Sequence, residues 1–176
     1  KALIVDNYGS VKAQASCSVS IKHLKPGWVE QDPLELWESV QKVVDGCLSQ
    51  IDNPNIAAVA IANQRESIIL WDRQTGMPVG PCLVWGCTRT KKFLDKLIAQ
   101  GLESRIKNHT GLMINTLFSA SKARWLIRNA ENGKQRSERG QSFLGTVDSW
   151  ILWNITGGKV HSCDISNASR TQLYNI

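Results

Sequence analysis

The sequence predicts an α/β domain, and three features carry that reading. The chain opens with a hairpin signature, continues into one strongly capped amphipathic helix, and passes from that helix into an unbroken apolar run of strand length. Ala2 to Asp6 and Ala13 to Lys22 read as two strands joined by the turn-forming Asn7-Tyr8-Gly9-Ser10. A helix start follows in Asp32-Pro33-Leu34-Glu35: Asp32 is the N-cap, Pro33 occupies a first-turn position where its missing N–H costs nothing, and Glu35 is spaced to bond back to the cap. Leu36, Trp37, Val40, Val43, Val44, Cys47 and Leu48 then recur at helical spacing and define one buried face. Ile56 to Ala62 is the pattern of a strand covered on both sides, as in a parallel sheet. A helix leading into such a strand is half of a right-handed crossover, so a mixed sheet flanked by helices is expected.

Beyond residue 66 the apolar alternation resumes. Ser67 to Asp72 and Val79 to Trp85 form a strand–turn–strand around Arg73-Gln74-Thr75-Gly76, with Pro78 and Pro81 confining the second strand to an edge or a bulge. Helices are expected near 89–99, 102–108 and 117–130, punctuated by Gly101 and by Asn132-Gly133. Ser142 to Gly145 reads as a short strand, Asp148 to Ile155 as a helix closed by Gly157-Gly158, and Lys159 to Ser162 as a last strand.

Composition narrows the class. With 176 residues, 42% hydrophobic and 20% charged, the chain has the make-up of one globular domain. No apolar run reaches the ~18 residues of a membrane span. The net charge of +6 is uneven: residues 1–60 hold five Lys/Arg against seven Asp/Glu, and the remainder holds sixteen against eight. The basic excess falls in "RTKKFLDKLIAQ" and "KARWLIRNAENGKQRSER", where helical spacing puts the charges on solvated faces and argues against nucleic-acid binding. Cys17, Cys47, Cys82, Cys87 and Cys163 are odd in number and scattered, which excludes a disulfide framework or zinc site and suits a reducing cytoplasm. The histidines, His23, His109 and His161, are isolated and carry no assignment.

The polar cluster Asn63-Gln64-Arg65-Glu66 interrupts the apolar pattern just past the end of the Ile56–Ala62 run. Ligands of open α/β sheets collect outside such carboxyl ends. Arg65 brings a rigid fork of donors and Glu66 a carboxylate that accepts from hydroxyls, so the two can grip adjacent hydroxyl groups of a polyol; surface ion pairing is the alternative. Trp85 ends the following strand, where an indole either stacks on the carbons of such a ligand or fills the core. Asp148 is placed to cap a helix, and Lys122 reads as a solvated helix residue.

Several segments together carry a resemblance. "NQRE" at 63–66, "WDRQTG" at 71–76, "VW" at 84–85, "KPGWVEQDPLELW" at 25–37, "NHTGL" at 108–112, "FSASKARWL" at 118–126, "GTVDSWILW" at 145–153 and "SNASRTQLYNI" at 166–176 follow one another as in the amino-terminal half of the FGGY carbohydrate kinases. The chain resembles above all the glycerol-phosphorylating members, along essentially its whole length. The resemblance implies an actin-like ATPase (ribonuclease H-like) domain whose first strand would precede Lys1, spanning 1–176 as a single substrate-gripping domain truncated at both ends. It implies that Arg65 and Glu66 hydrogen-bond the glycerol hydroxyls while Trp85 packs on the carbon backbone. No catalytic residue is expected in this chain, because the phosphate-gripping turn would lie before Lys1 and the general base after Ile176.

ATP and Mg²⁺ are implied for the full-length enzyme and not for this chain alone. The partners implied are glycerol or a related polyol, the carboxy-terminal domain, and a second copy of the chain in a homo-oligomer; nucleic acid and a membrane are not among them. Two departures bear on substrate choice: Leu117 stands where the family usually has a tyrosine, and Gly86-Cys87-Thr88-Arg89 replaces the family's usual residues after the tryptophan. The readings beside glycerol are therefore another polyol or a pentulose, or an inactive relic that binds without catalysing.

Overall fold

A computed structural model describes residues 1–176. The chain forms seven strands and seven helices in two sheets. The opening hairpin pairs β1 (Ala2–Val5) antiparallel with β2 (Val11–Ala15). Its turn is closed by Asp6, whose carboxylate accepts from the Tyr8 and Ser10 amides, with Gly9 in the left-handed region. The second strand is shorter than expected and starts earlier. A further hairpin, β3 (Lys22–Lys25) with β4 (Trp28–Gln31), lies where no strands were foreseen. Its Pro26-Gly27 turn is legible afterwards: proline presets the first central residue, and Gly27 takes φ +77° beneath Thr88, where a Cβ would meet the hydroxyl oxygen at 2.3 Å.

Helix α1 (Pro33–Leu48) starts as expected, with the Asp32 side chain accepting from the Leu34 amide. Glu35 does not bond back to the cap. It reaches instead to the Ser20 amide at 2.8 Å, anchoring the segment after β2 to the helix, and this bond holds its carboxyl below the usual range.

Strand β5 (Ile68–Asp72) is the axis of the second sheet, whose order is β3-β4-β6-β5-β7. Its alternation sends Ile69 and Trp71 to one face, against Leu36, Val147, Trp150 and Ile151, and Ile68 and Leu70 to the other, against Leu83, Ala123 and Leu126. This strand, covered on both faces, takes the place expected of Ile56–Ala62. That run forms no ladder: no strand of the chain pairs with it, and its residues are exposed except for Ile61, which packs on the core. An apolar run specifies a buried strand only when neighbouring strands exist to hydrogen-bond it. The expected parallel pairing is absent accordingly, and every ladder formed here is antiparallel.

Strand β6 shrinks to Cys82–Leu83, between β4 and β5. Pro78 and Pro81 fall outside it, which is how a strand this close to two prolines can be internal rather than at an edge. Helices α2 (Lys91–Ala99), α3 (Glu103–Thr110) and α4 (Ser119–Asn129) fall close to their expected places. Helix α5 (Gly133–Glu138) starts at the Asn132-Gly133 pair that was read as punctuation. Strand β7 (Ser142–Thr146) pairs along all of β5, and Gly145 there is pressed against Trp71 and Ser149, so that a Cβ would lie 2.9 Å from the indole. Helix α6 (Val147–Ile155) is closed by Gly157 and Gly158, both at positive φ. Lys159 to Ser162 is not a strand, and a short α7 (Ile165–Ala168) follows it. No helix is long and apolar enough to cross a membrane.

Candidate functional site

The four polar residues between the extended segment and β5 are each dealt with separately. Asn63 donates through Nδ2 to Asp148 Oδ1 at 3.3 Å, and Asn167 donates to the same oxygen at 2.7 Å. Gln64 donates to the side chain of Gln31, the buried last residue of β4, at 2.6 Å. Glu66 is buried, and its Oε1 accepts from Arg170 Nε at 2.7 Å. Arg65 is exposed and takes no part in the seven ion pairs of the chain. Three of the four are thus fixed from within, and one guanidinium is left to face outward.

Glu66 sits at φ +64°, in the left-handed region that a residue with a Cβ occupies only at a cost of about 1–2 kcal/mol. Two contacts hold it there. Its carbonyl accepts from Ser119 Oγ at the start of α4, at 2.9 Å, and its carboxylate is tied to Arg170. Strain maintained by surrounding contacts is a mark of functional positions.

Trp85 is 51% exposed, which rules out the core reading. Its amide donates to Ser67 Oγ at 3.1 Å, two residues past the Ile68–Leu83 pairing of β5 and β6. The antiparallel register therefore brings Glu66, Ser67 and Trp85 to one end of the same strand pair. Arg65, Glu66 and Trp85 line none of the concavities of about 450, 640 and 300 Å³ elsewhere on the surface. Arg65 and Trp85 are exposed at this end of the sheet, and Glu66, between Arg65 and β5 in sequence, is buried.

Sequence reasoning missed two members of this neighbourhood. Arg170 lies within the "SNASRT" segment but had no role; it bridges Glu66 and the Phe118 ring, its guanidinium 5.0 Å from the ring centre. Lys122, expected in solvent, is fully buried in the first turn of α4. Its ammonium donates to the carbonyls of Thr116 and Leu117, each at 2.6 Å, and of Phe118 at 3.4 Å. Burial pulls its pKa down to about 8, against the opposing influence of Cys87, Glu66 and Cys82. Helical spacing groups Lys122 with Ser119, Ala123 and Leu126 on the buried face of α4, but it gives no sign of the carbonyls that receive the ammonium. Asp148 is not a cap either: Thr146 is the N-cap of α6, and the Asp148 carboxylate gathers Thr146, Asn63 and Asn167. The five cysteines are unpaired thiols, with Cys47, Cys82 and Cys87 buried, and burial pushes the Cys82 thiol up to about 12.

Residues 1–176 match the N-terminal domain of the FGGY family of carbohydrate kinases. The chain is 46% identical over 176 residues to a glycerol kinase of Aquifex aeolicus and 43% identical over 178 residues to one of Carboxydothermus hydrogenoformans, covering 100% of this chain in both cases. It spans 35–36% of the length of these curated relatives. Among solved structures, glycerol kinase of Plasmodium falciparum with ADP superposes with a TM-score of 0.90 at 33% identity, covering 99% of this chain and 35% of that one. Gluconate kinase of Lactobacillus acidophilus superposes with a TM-score of 0.84 at 22% identity, over 98% of this chain and 34% of that one, a likeness of fold alone. The actin-like architecture expected from the sequence is the one these kinases share. With the match running from Lys1 to Ile176, the chain belongs to the FGGY family of carbohydrate kinases.

Proposed function

We propose that this domain is the substrate-gripping part of a glycerol kinase, whose reaction is ATP-dependent phosphorylation of a terminal glycerol hydroxyl to give glycerol 3-phosphate in the cytoplasm. One observation carries the reading: a buried, ion-paired Glu66 carboxylate, next in sequence to the exposed Arg65, which joins no ion pair, with the exposed Trp85 bonded through its amide to Ser67 at the same end of the β5–β6 pair. Arg65 supplies donors and Glu66 acceptors for neighbouring hydroxyl groups, and the indole offers an apolar face to the carbons. In the parent reaction these residues bind and orient; holding a hydroxyl in line for attack is a large share of catalysis when positioning dominates.

No three His, Cys, Asp or Glu side chains gather to hold a metal ion. ATP supplies the phosphoryl group and Mg²⁺ neutralises it; both are assigned to the rest of a longer protein, together with the carboxy-terminal domain.

Arg65→Ala in the full-length protein tests the reading. Loss of a charge-assisted hydrogen bond is expected to raise the glycerol KM roughly 10- to 100-fold. Unchanged kinetics would remove Arg65 from the site. A second reading, a different polyol or a pentulose, is favoured by the half-buried Leu117, which offers no hydroxyl where the family usually does. Thermal shifts with glycerol, xylulose and ribulose separate the two, since the ligand bound by the folded state raises its melting temperature.

A further inference from the structure

The mechanism leaves one buried charged group unused. Lys122 is fully buried, yet none of the seven ion pairs includes it. An ammonium has three donors, and here three successive carbonyls, those of Thr116, Leu117 and Phe118, receive them. A buried charge is tolerated only when satisfied in this way, and a methionine would fill most of the same volume without that requirement. What the lysine adds over an apolar residue is therefore the fixed geometry of the segment entering α4.

That segment borders the candidate site on two sides. Phe118 lies under the Arg170 guanidinium that holds the Glu66 carboxylate. Ser119, the next residue, holds the Glu66 carbonyl, and the Ala120 amide donates to the Thr171 carbonyl at 2.8 Å, binding the start of α4 to the Arg170 strand of chain. A second hold on the segment comes from the exposed Asn115, whose Oδ1 accepts from the Leu117 amide at 2.8 Å. Displacement of 116–118 therefore reaches Glu66 through Phe118 and Arg170 and through Ser119.

We propose that Lys122 is a positioning residue for polyol binding: its ammonium fixes the Thr116–Phe118 segment, and through Phe118 and Arg170 it sets the aim of Glu66. The proposal rests on the reading of Glu66 as a polyol ligand. Lys122 touches no substrate; it acts on the group that does.

The test uses the full-length protein and compares the glycerol KM, the ATP KM and the melting temperature of wild type, Lys122→Met, Lys122→Arg, Asn115→Ala and Arg65→Ala. Lys122→Met is expected to raise the glycerol KM about tenfold or more with the ATP KM within about twofold, as misplacement of a binding group does. Lys122→Arg, which keeps charge and donors, recovers part of the loss. A folded Lys122→Met with wild-type glycerol KM, beside an impaired Arg65→Ala, would overturn the proposal while leaving the polyol reading intact. So would an equal rise in both KM values, which marks a general structural defect. If Lys122→Met does not fold, Asn115→Ala decides: it loosens the same segment from the surface, so a selective rise of about threefold supports the latch and wild-type values overturn it. A wild-type glycerol KM in Arg65→Ala would take down the polyol reading, and the Lys122 proposal with it.

Discussion

Glu66 shows at the scale of one residue how a strained, buried position is held. It occupies a backbone region suited to glycine and buries a carboxylate, and both costs are offset by a single ion pair and one carbonyl contact. Glu66→Gln keeps the backbone and the shape and removes only the charge, leaving the Arg170 guanidinium, 30% exposed, without its counter-ion. Unfolding in urea is expected to show a loss of about 1–3 kcal/mol, the range for hydrogen bonds to charged groups. A glutamine variant as stable as wild type would mean that the pair contributes nothing to holding Glu66 in place. Sequence alone singled out Arg65 and Glu66 as a polar pair just past an apolar run and left Trp85 between stacking and core; their roles in binding belong to the proposal. It could not name Arg170, which meets Glu66 across 104 positions of sequence, nor Lys122, whose burial is decided by the carbonyls it finds.

At the scale of elements, legibility follows the range of the forces involved. The α1 start was readable because its cap is local, with Asp32 serving Leu34 two residues on. Glu35 was misread because its partner, Ser20, lies fifteen residues away. The β5–β6 turn is another local device: Asp72 Oδ1 accepts from the Gln74 and Thr75 amides and the Thr75 hydroxyl, while Oδ2 meets Arg136 of α5. These contacts, the Thr75 amide foremost, hold the Asp72 carboxyl below its ordinary 3.8. A carboxyl depressed in the folded state stabilises fully above its unfolded pKa, and the contribution fades as pH falls through the folded value. Asp72→Asn should therefore be less stable than wild type by a constant amount from neutral pH down to about 4, and the gap should close in more acid solution. Urea midpoints for both proteins across that range check this; a gap that persists unchanged at the acid end would assign the stabilisation to shape rather than charge.

At the scale of the whole molecule, the feature that local pattern could not settle is also the one that governs behaviour in solution. Residues 56–62 carry the strongest strand signal in the sequence, yet they lie extended without a ladder, with Ile56 43% and Val59 72% exposed. An unpaired extended segment rich in β-branched and small apolar residues presents free amides and carbonyls to any second strand, and natural edges are usually protected by charge, proline or cover. None of the three protects this segment, since its seven residues include no charge and no proline. The overall charge of +6 opposes association between copies, but it is concentrated in the later two thirds of the sequence and is screened beyond roughly 8–10 Å at moderate salt. Pairing between copies of this segment is therefore expected for the 176-residue chain on its own, with an average mass by static light scattering that rises with concentration and with added salt. Val59→Lys places a charge on the most exposed large apolar residue of the run and should return the mass to that of the monomer without lowering the melting temperature. A wild-type chain that stays monomeric across the concentration series would show that the segment is shielded, and a Val59→Lys variant that still associates would move the contact to another face.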